Sequence, residues 1–157
     1  MSHLNNSLSS SSNFFETIIV GCGPAGLASL RAVLYPNHDD FAKIEATVQQ
    51  NNTSNNNKVL CLEASNDIGG LWRRPDGYAW NGMRTNLARE KCAFAGLTHE
   101  EVFGTKNFDN QFATVAEMYQ YFHAFVDKYQ LEKHIRFGCR VSKISQDTSS
   151  SSGFQYT

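Results

Sequence analysis

Thr17-Ile18-Ile19-Val20-Gly21-Cys22-Gly23-Pro24-Ala25-Gly26 is the stretch on which the fold turns. An apolar run of strand formers leads straight into G-x-G-x-x-G, and a helix-forming run follows it. In that setting each glycine has its own physical task. The first permits the tight strand-to-helix turn, the second lets main chain come within contact of a pyrophosphate, and the third lets helix and strand pack closely. The helix offers free N–H groups and the positive end of its dipole to the diphosphate. Pro24 costs nothing there, because the first turn has no use for its missing N–H. The spacing predicts a dinucleotide-binding β-α corner; the alternative is a glycine turn in an ordinary α/β protein.

The rest of the corner continues in register. Residues 14–20 form the expected first strand, nearly all apolar after Glu16, as for a strand buried on both faces. Residues 24–35 form the first helix, which Pro36 ends. Residues 58–63 (Lys-Val-Leu-Cys-Leu-Glu) read as the second strand, closed by Glu63. A Rossmann unit places an acid there to accept hydrogen bonds from the ribose hydroxyls, normally ~20 residues on. Glu63 lies 37 positions after Gly26, and an insertion over 37–57 accounts for the excess. Within it, 40–49 keeps helical spacing and 49–57 is a Gln/Asn-rich loop. Such growth of a loop is tolerable because closure entropy rises only logarithmically with length. The alternative for Glu63 is a solvated strand terminus without a ribose partner.

Composition bounds the rest. The chain has 157 residues, enough for one domain, with 41% hydrophobic and 18% charged residues, as in ordinary globular proteins. A formal net charge of -1 leaves no electrostatic footprint for nucleic acid. Cys22, Cys61, Cys92 and Cys139 show no C-x-x-C and no metal-ligand spacing, which excludes a zinc-type site as the expectation. Cys22 and Cys61 fall at positions where a small thiol packs well. Residues 1–13, rich in Ser and Asn, read as a disordered leader without the apolar core of a secretory signal. No run reaches the ~18 apolar residues of a membrane span. The expectation is a soluble, cytoplasmic protein with no membrane segment in this chain.

Residues 64–110 hold no long periodic segment and read as loop, a length that points to function. Thr114-x-x-Glu117 then forms a capping box. Val115, Met118, Phe122, Phe125, Val126 and Tyr129 share one face of the helix it opens. His123 and His134 have no carboxylate or cysteine partner at catalytic spacing and are expected to be structural. A third strand is expected over 135–144, with Phe137, Cys139 and Val141 alternating inward. A serine-rich hairpin turn over 146–153 and a strand from Phe154 follow.

Three pieces together resemble the N-terminal half of the flavin-containing monooxygenases. They are Gly21-Cys22-Gly23-Pro24-Ala25-Gly26, then Leu62-Glu63, then Ile68-Gly69-Gly70-Leu71-Trp72. Many two-dinucleotide flavoproteins carry a Gly-Gly after the ribose acid, and Leu-Trp narrows the choice. Met83-Arg84-Thr85-Asn86-Leu87 is similar to the family's Thr-Asn segment. The resemblance covers roughly residues 15–157. It implies a Rossmann-like FAD-binding α/β domain with a parallel sheet. FAD would sit in the first glycine-rich site, with NADPH as reductant. It also implies oxygenation of a small nitrogen or sulfur nucleophile by way of O₂ and a C4a-hydroperoxyflavin, as in N,N-dimethylaniline-type monooxygenases.

By the same resemblance, Gly21, Gly23, Pro24, Ala25, Gly26 and Glu63 would hold the dinucleotide. Gly69, Gly70, Leu71 and Trp72 would line the ribityl and ring region. Val141 would meet adenine through its backbone, and Asn86 would supply a catalytic amide near the flavin, or else serve only as a turn residue. The family's second glycine unit and its Phe-x-Gly-x-x-x-His fingerprint do not occur in these 157 residues. The expectation is therefore a chain truncated before the NADPH-binding domain, with the NADPH site outside it. A Baeyer–Villiger monooxygenase, which favours Gly-Gly-Thr-Trp, is the neighbouring alternative. A non-catalytic dinucleotide-binding remnant is the other.

Overall fold

The computed structural model describes residues 14–36, 58–73, 78–104, 110–147 and 153–156. The expected leader over 1–13 and the insertion over 37–57, with its helix at 40–49, lie outside the described residues. Strand β1 (Thr17–Val20), helix α1 (Pro24–Leu34) and strand β2 (Val59–Leu62) form the opening unit. Helix α2 (His99–Phe103) and the long helix α3 (Val115–Lys128) precede a short strand β3 (Ile135–Arg136). Strands β4 (Ile144–Asp147) and β5 (Gly153–Tyr156) pair as a separate antiparallel hairpin.

β1, β2 and β3 lie side by side, all parallel, with Thr17 opposite Val59 and Cys61 opposite Ile135. That is the 3-2-1 half of a Rossmann-like sheet. β2 is the central strand, buried from Leu60 to Leu62. β1 is less covered than its apolar run predicts. Thr17 to Ile19 are half-buried and Val20 is 53% exposed, because only one edge of β1 is paired among the described residues.

α1 ends at Leu34, with Tyr35 as its cap and Tyr35 N–H bonded to Arg31 O. Leu27 and Leu30 are fully buried against the sheet, each contributing about 1.5–3 kcal/mol of transfer free energy. The whole expected face of α3 is buried, and Tyr121 with it. The capping box at Thr114 and Glu117 is formed in both directions. Its tyrosines do more than fill space. Tyr121 Oη accepts from Phe94 N–H and donates to Leu97 O, while Tyr129 Oη donates to Gly96 O. The loop over 94–97 is thereby moulded onto α3. A second capping box, Thr98 with Glu101, opens α2; at five residues that helix is too short to display a period in the sequence.

The third strand departs most from expectation. Pairing stops at Arg136, although Ile135, Phe137, Cys139 and Val141 keep alternating with more exposed neighbours. Gly138 is the reason. Its φ of 67° turns the chain out of the extended region, where only glycine is unstrained. Two main-chain bonds then resume contact with the end of β2, from Gly138 N–H to Ser65 O and from Cys139 N–H to Glu63 O.

His134 is buried, and so is His99, only 4% exposed and stacked on Tyr121 with centroids 4.4 Å apart. Neither ring nitrogen of His99 has a hydrogen-bond partner among the described residues. Burial lowers the pKa of both histidines. Arg89 lowers that of His99 further, and a bond to the Val59 backbone partly offsets the shift at His134. The unfolded chain takes up protons around the ordinary value of 6.5, and the folded chain resists. Stability is therefore full above that pH and falls as pH drops below it. His99→Phe, which keeps the stack, is expected to flatten this fall. Urea midpoints at about pH 7.5 and about pH 5.5, either side of the histidine range, check it; equal losses in both proteins would count against His99.

Gly26→Ala tests the corner itself. A Cβ at Gly26 would lie 2.0 Å from Gly21 O, a backbone atom that cannot swing aside. The expected loss is about 3 kcal/mol, the upper range for overpacking, read as a lower urea midpoint with an unchanged slope.

Candidate functional site

The carboxyl ends of β1 and β2 meet two glycine loops. Gly21 has φ 92° and nothing within 4 Å of an added Cβ, so the mouth of the turn is open. α1 starts at Pro24 with Gly23 as its N-cap. No side chain caps it, and its first turn holds no acid. The leading amides of a helix have no intrahelical partner, so an anion brought to this end meets unoccupied donors and the positive end of the dipole. The structure thus brings Gly21, Gly23, Pro24, Ala25 and Gly26 into one cradle.

The second loop closes against the first. Gly69 N–H donates to Cys22 O at 3.0 Å. A Cβ on Gly70 would come 3.0 Å from Gly23 Cα, and one on Gly23 would come 3.7 Å from Gly70 Cα. Two main chains run against each other here, and the close approach together with a φ of 53° calls for glycine at position 70. Gly70, Leu71 and Trp72 form one turn of 3-10 helix. Trp72 packs on the core, whereas Leu71 is 49% exposed.

Glu63 sits just behind the first loop and is not a solvated terminus, being only 8% exposed. Its Oε2 accepts from Cys22 N–H at 2.6 Å, and its Oε1 accepts from Ser65 N–H at 2.9 Å and from Ser65 Oγ at 2.6 Å. Burial pushes the carboxyl up. The Ser65 hydroxyl and amide, the Cys22 amide and the Arg73 charge outweigh it and hold Glu63 below its ordinary value. Of about four lone-pair positions on a carboxylate, three are used, so Oε2 keeps room for one more donor. The main chain of Glu63 is fixed as well, by Arg136 O and Cys139 N–H. Val141 follows two residues later, half-buried.

Beneath the cradle lie Cys22 and Cys61, both fully buried. Cys61 Sγ donates to Gly21 O at 3.5 Å. The hydrogen bond to Cys61, together with burial, pushes the Cys22 thiol up and keeps it protonated. These thiols pack the floor of the turn.

Asn86 is exposed on a loop pinned to the start of α3. Thr85 N–H donates to Ala113 O at 2.9 Å, and Ala113 N–H to Thr85 Oγ1 at 3.0 Å. Arg89, buried nearby, bonds Glu117 Oε1 at 2.8 Å and Asn110 O at 3.0 Å. The loop is therefore held rigidly while the Asn86 side chain projects outward.

Sequence reasoning missed one cluster. Tyr119 Oη donates to Asp67 Oδ2, and His123 Nε2 lies 3.4 Å from Asp67 Oδ1. The bond to Asp67, then burial, pushes the Tyr119 hydroxyl up to about 12. The expectation that His123 lacks a carboxylate partner is therefore corrected: Asp67 reaches it from another element. The available signal was Tyr119 and His123 at i, i+4, with Asp67 two residues before Gly69. No helix among the described residues is long and apolar enough to cross a membrane.

Comparison with known proteins places this geometry. A family model described as flavin-binding monooxygenase-like matches residues 16–157. Flavin-containing monooxygenase 3 of Macaca mulatta is 30% identical over 137 residues, covering 83% of this chain and 21% of that protein. Trimethylamine monooxygenase of Roseovarius nubinhibens is 28% identical over 145 residues, covering 82% of this chain and 28% of that protein. Among solved structures, Tmm from Pelagibacter sp. strain HTCC7211 has a TM-score of 0.64 at 21% identity, over 84% of this chain and 29% of that one. The OTEMO complex with FAD and NADP has a TM-score of 0.61 at 22% identity, over 93% of this chain and 23% of that one. The chain thus spans less than a third of the length of these relatives, and at such identities the solved structures speak for the fold. With a β-α corner, an end-of-strand acid and a facing Gly-Gly loop on one cradle, and the family model matching from Glu16 to Thr157, the chain belongs to the flavin-binding monooxygenase-like family.

Proposed function

We propose that this chain supplies the FAD-binding cradle of an NADPH-dependent monooxygenase that oxygenates a nitrogen or sulfur nucleophile. The observation that carries it is the facing pair Gly23 and Gly70, beside a buried Glu63 that keeps one acceptor position free. The fit to FAD is chemical. A diphosphate needs bare amides and no acid close by, which the start of α1 provides. A ribose needs a fixed carboxylate, which Glu63 provides.

In this reading the amides of Gly23, Ala25 and Gly26 hold the diphosphate, and Glu63 Oε2 accepts from a ribose hydroxyl. Gly70, Leu71 and Trp72 border the path toward the ring, and Val141 meets the adenine through its main chain. When bound and reduced by NADPH, the flavin would supply activation of O₂, with one oxygen atom going to the substrate and the other leaving as water. Asn86 offers an amide donor on a loop that cannot sag, as preorganised hydrogen bonding requires. Its exposure fits a residue that faces other parts of a longer protein. The half-exposed Leu71 fits the same role, because a reactive oxygen species must be kept from water. The NADPH site falls outside these residues, as does the substrate pocket.

Two outcomes test the reading on purified chain. Gly23→Val is expected to abolish FAD retention, read as loss of flavin absorbance, because its branches enter the gap between the loops; retained flavin would remove the diphosphate from this cradle. Glu63→Gln is expected to weaken FAD by about 1.5–3 kcal/mol, the scale of a hydrogen bond to a charged group. A flavin titration with undiminished affinity would place the ribose elsewhere.

A further inference from the structure

Asp67 is tied at three points. Its Oδ1 accepts from Ile68 N–H at 2.7 Å, its Oδ2 accepts from Tyr119 Oη, and its carbonyl lies 2.8 Å from Ser65 Oγ. His123 Nε2 stands 3.4 Å from Oδ1, and its ring meets that of Tyr119 edge-on with centroids 4.5 Å apart. Two positions later the same loop delivers Gly69 and Gly70 to the first glycine turn. That approach tolerates little error, since an added Cβ on Gly70 would already sit 3.0 Å from Gly23 Cα. On the cradle side, a main-chain tie between the two loops is the bond from Gly69 N–H to Cys22 O. The other anchor is the bond from Tyr119 of α3 to Asp67.

Ser65 joins this anchor to the ribose acid. Its hydroxyl is 2.6 Å from Glu63 Oε1 and 2.8 Å from Asp67 O. A serine has one hydroxyl proton, so it serves one acceptor at a time.

We propose that Asp67, held by the Tyr119 hydroxyl of α3 with His123 beside it, is a positioning residue that sets the Gly69–Gly70 main chain against Gly23 and thereby sets the affinity of the cradle for a dinucleotide diphosphate. The inference rests on the reading of that cradle as a FAD site. The long helix is then part of the binding device although none of its residues belongs to either glycine loop.

The test uses the full chain stripped of flavin, titrated with FAD by flavin fluorescence, with the thermal midpoint of each flavin-free protein measured alongside. Tyr119→Phe is expected to weaken FAD about tenfold, one hydrogen bond to a charged group, at an unchanged midpoint. Asp67→Ala is expected to weaken it further, and Asp67→Asn, which keeps an acceptor for Ile68 N–H and a polar partner for Tyr119, to recover most of the loss. Variants that bind FAD as tightly as the unaltered chain overturn the role of Asp67. So do losses that merely track a falling midpoint and are not rescued by asparagine. An unaltered chain that takes up no FAD overturns the cradle assignment, and this inference with it.

Discussion

Gly21 O and Gly26 lie so close that a single methyl at Gly26 would overlap the carbonyl oxygen, at 2.0 Å. Everything else at the site is arranged around that contact. It fixes where α1 starts relative to the end of β1, and so where the first-turn amides point. The parallel register of β1 and β2 then places Val20 opposite Leu62, which delivers Glu63 directly behind the turn. A shift of one residue in that register would flip Glu63 to the other face of the sheet. Burial of Leu60, Cys61 and Leu62 holds the register, because a slip would exchange apolar side chains for water.

The second constraint is supplied from a distance. The Gly69–Gly70 loop has no regular structure beyond one 3-10 turn, and a loop of that kind keeps its place only through its anchors. α3 provides them. Its buried aromatic face locks it to the core, and Tyr121 and Tyr129 spend their hydroxyls on the 94–97 loop. Its more polar positions, Tyr119 and His123, reach Asp67. One amphipathic helix therefore organises loops on two sides. Glu117, the acid of its capping box, also carries the Arg89 ion pair that steadies the Asn86 loop.

Local signals were legible in the sequence and long-range ones were not. The glycine spacing gives the corner, and Thr114 with Glu117 gives the start of α3, because each acts within a few residues of itself. The apolar face of α3 is legible for the same reason. Strand β3 is misjudged from its alternation alone. Gly138 breaks it, and alternation of burial survives in a chain that is no longer paired. The brevity of α2 hides it, although Thr98 and Glu101 repeat the capping pattern seen at Thr114. Asp67 meeting His123 across 56 residues leaves only the i, i+4 pairing of Tyr119 and His123 as a trace, and that does not name the partner. The partner of a polar residue is a tertiary fact, and spacing rules address only neighbours along one element.

Glu63 shows why a binding acid can be both satisfied and available. A carboxylate this buried would be expected to take up a proton, which would spoil it as an acceptor. Donors from Ser65 and Cys22, with the Arg73 charge, prevent that by stabilising the charged form. They do so from the protein side, since two of the donors are main-chain amides fixed by the fold. The three donors leave one lone-pair position on Oε2. A ligand hydroxyl arriving there displaces none of them, whereas displacing an amide would strand a donor at about 1–3 kcal/mol. The acid is thus kept ionised by groups that stay, with one position left for the ligand.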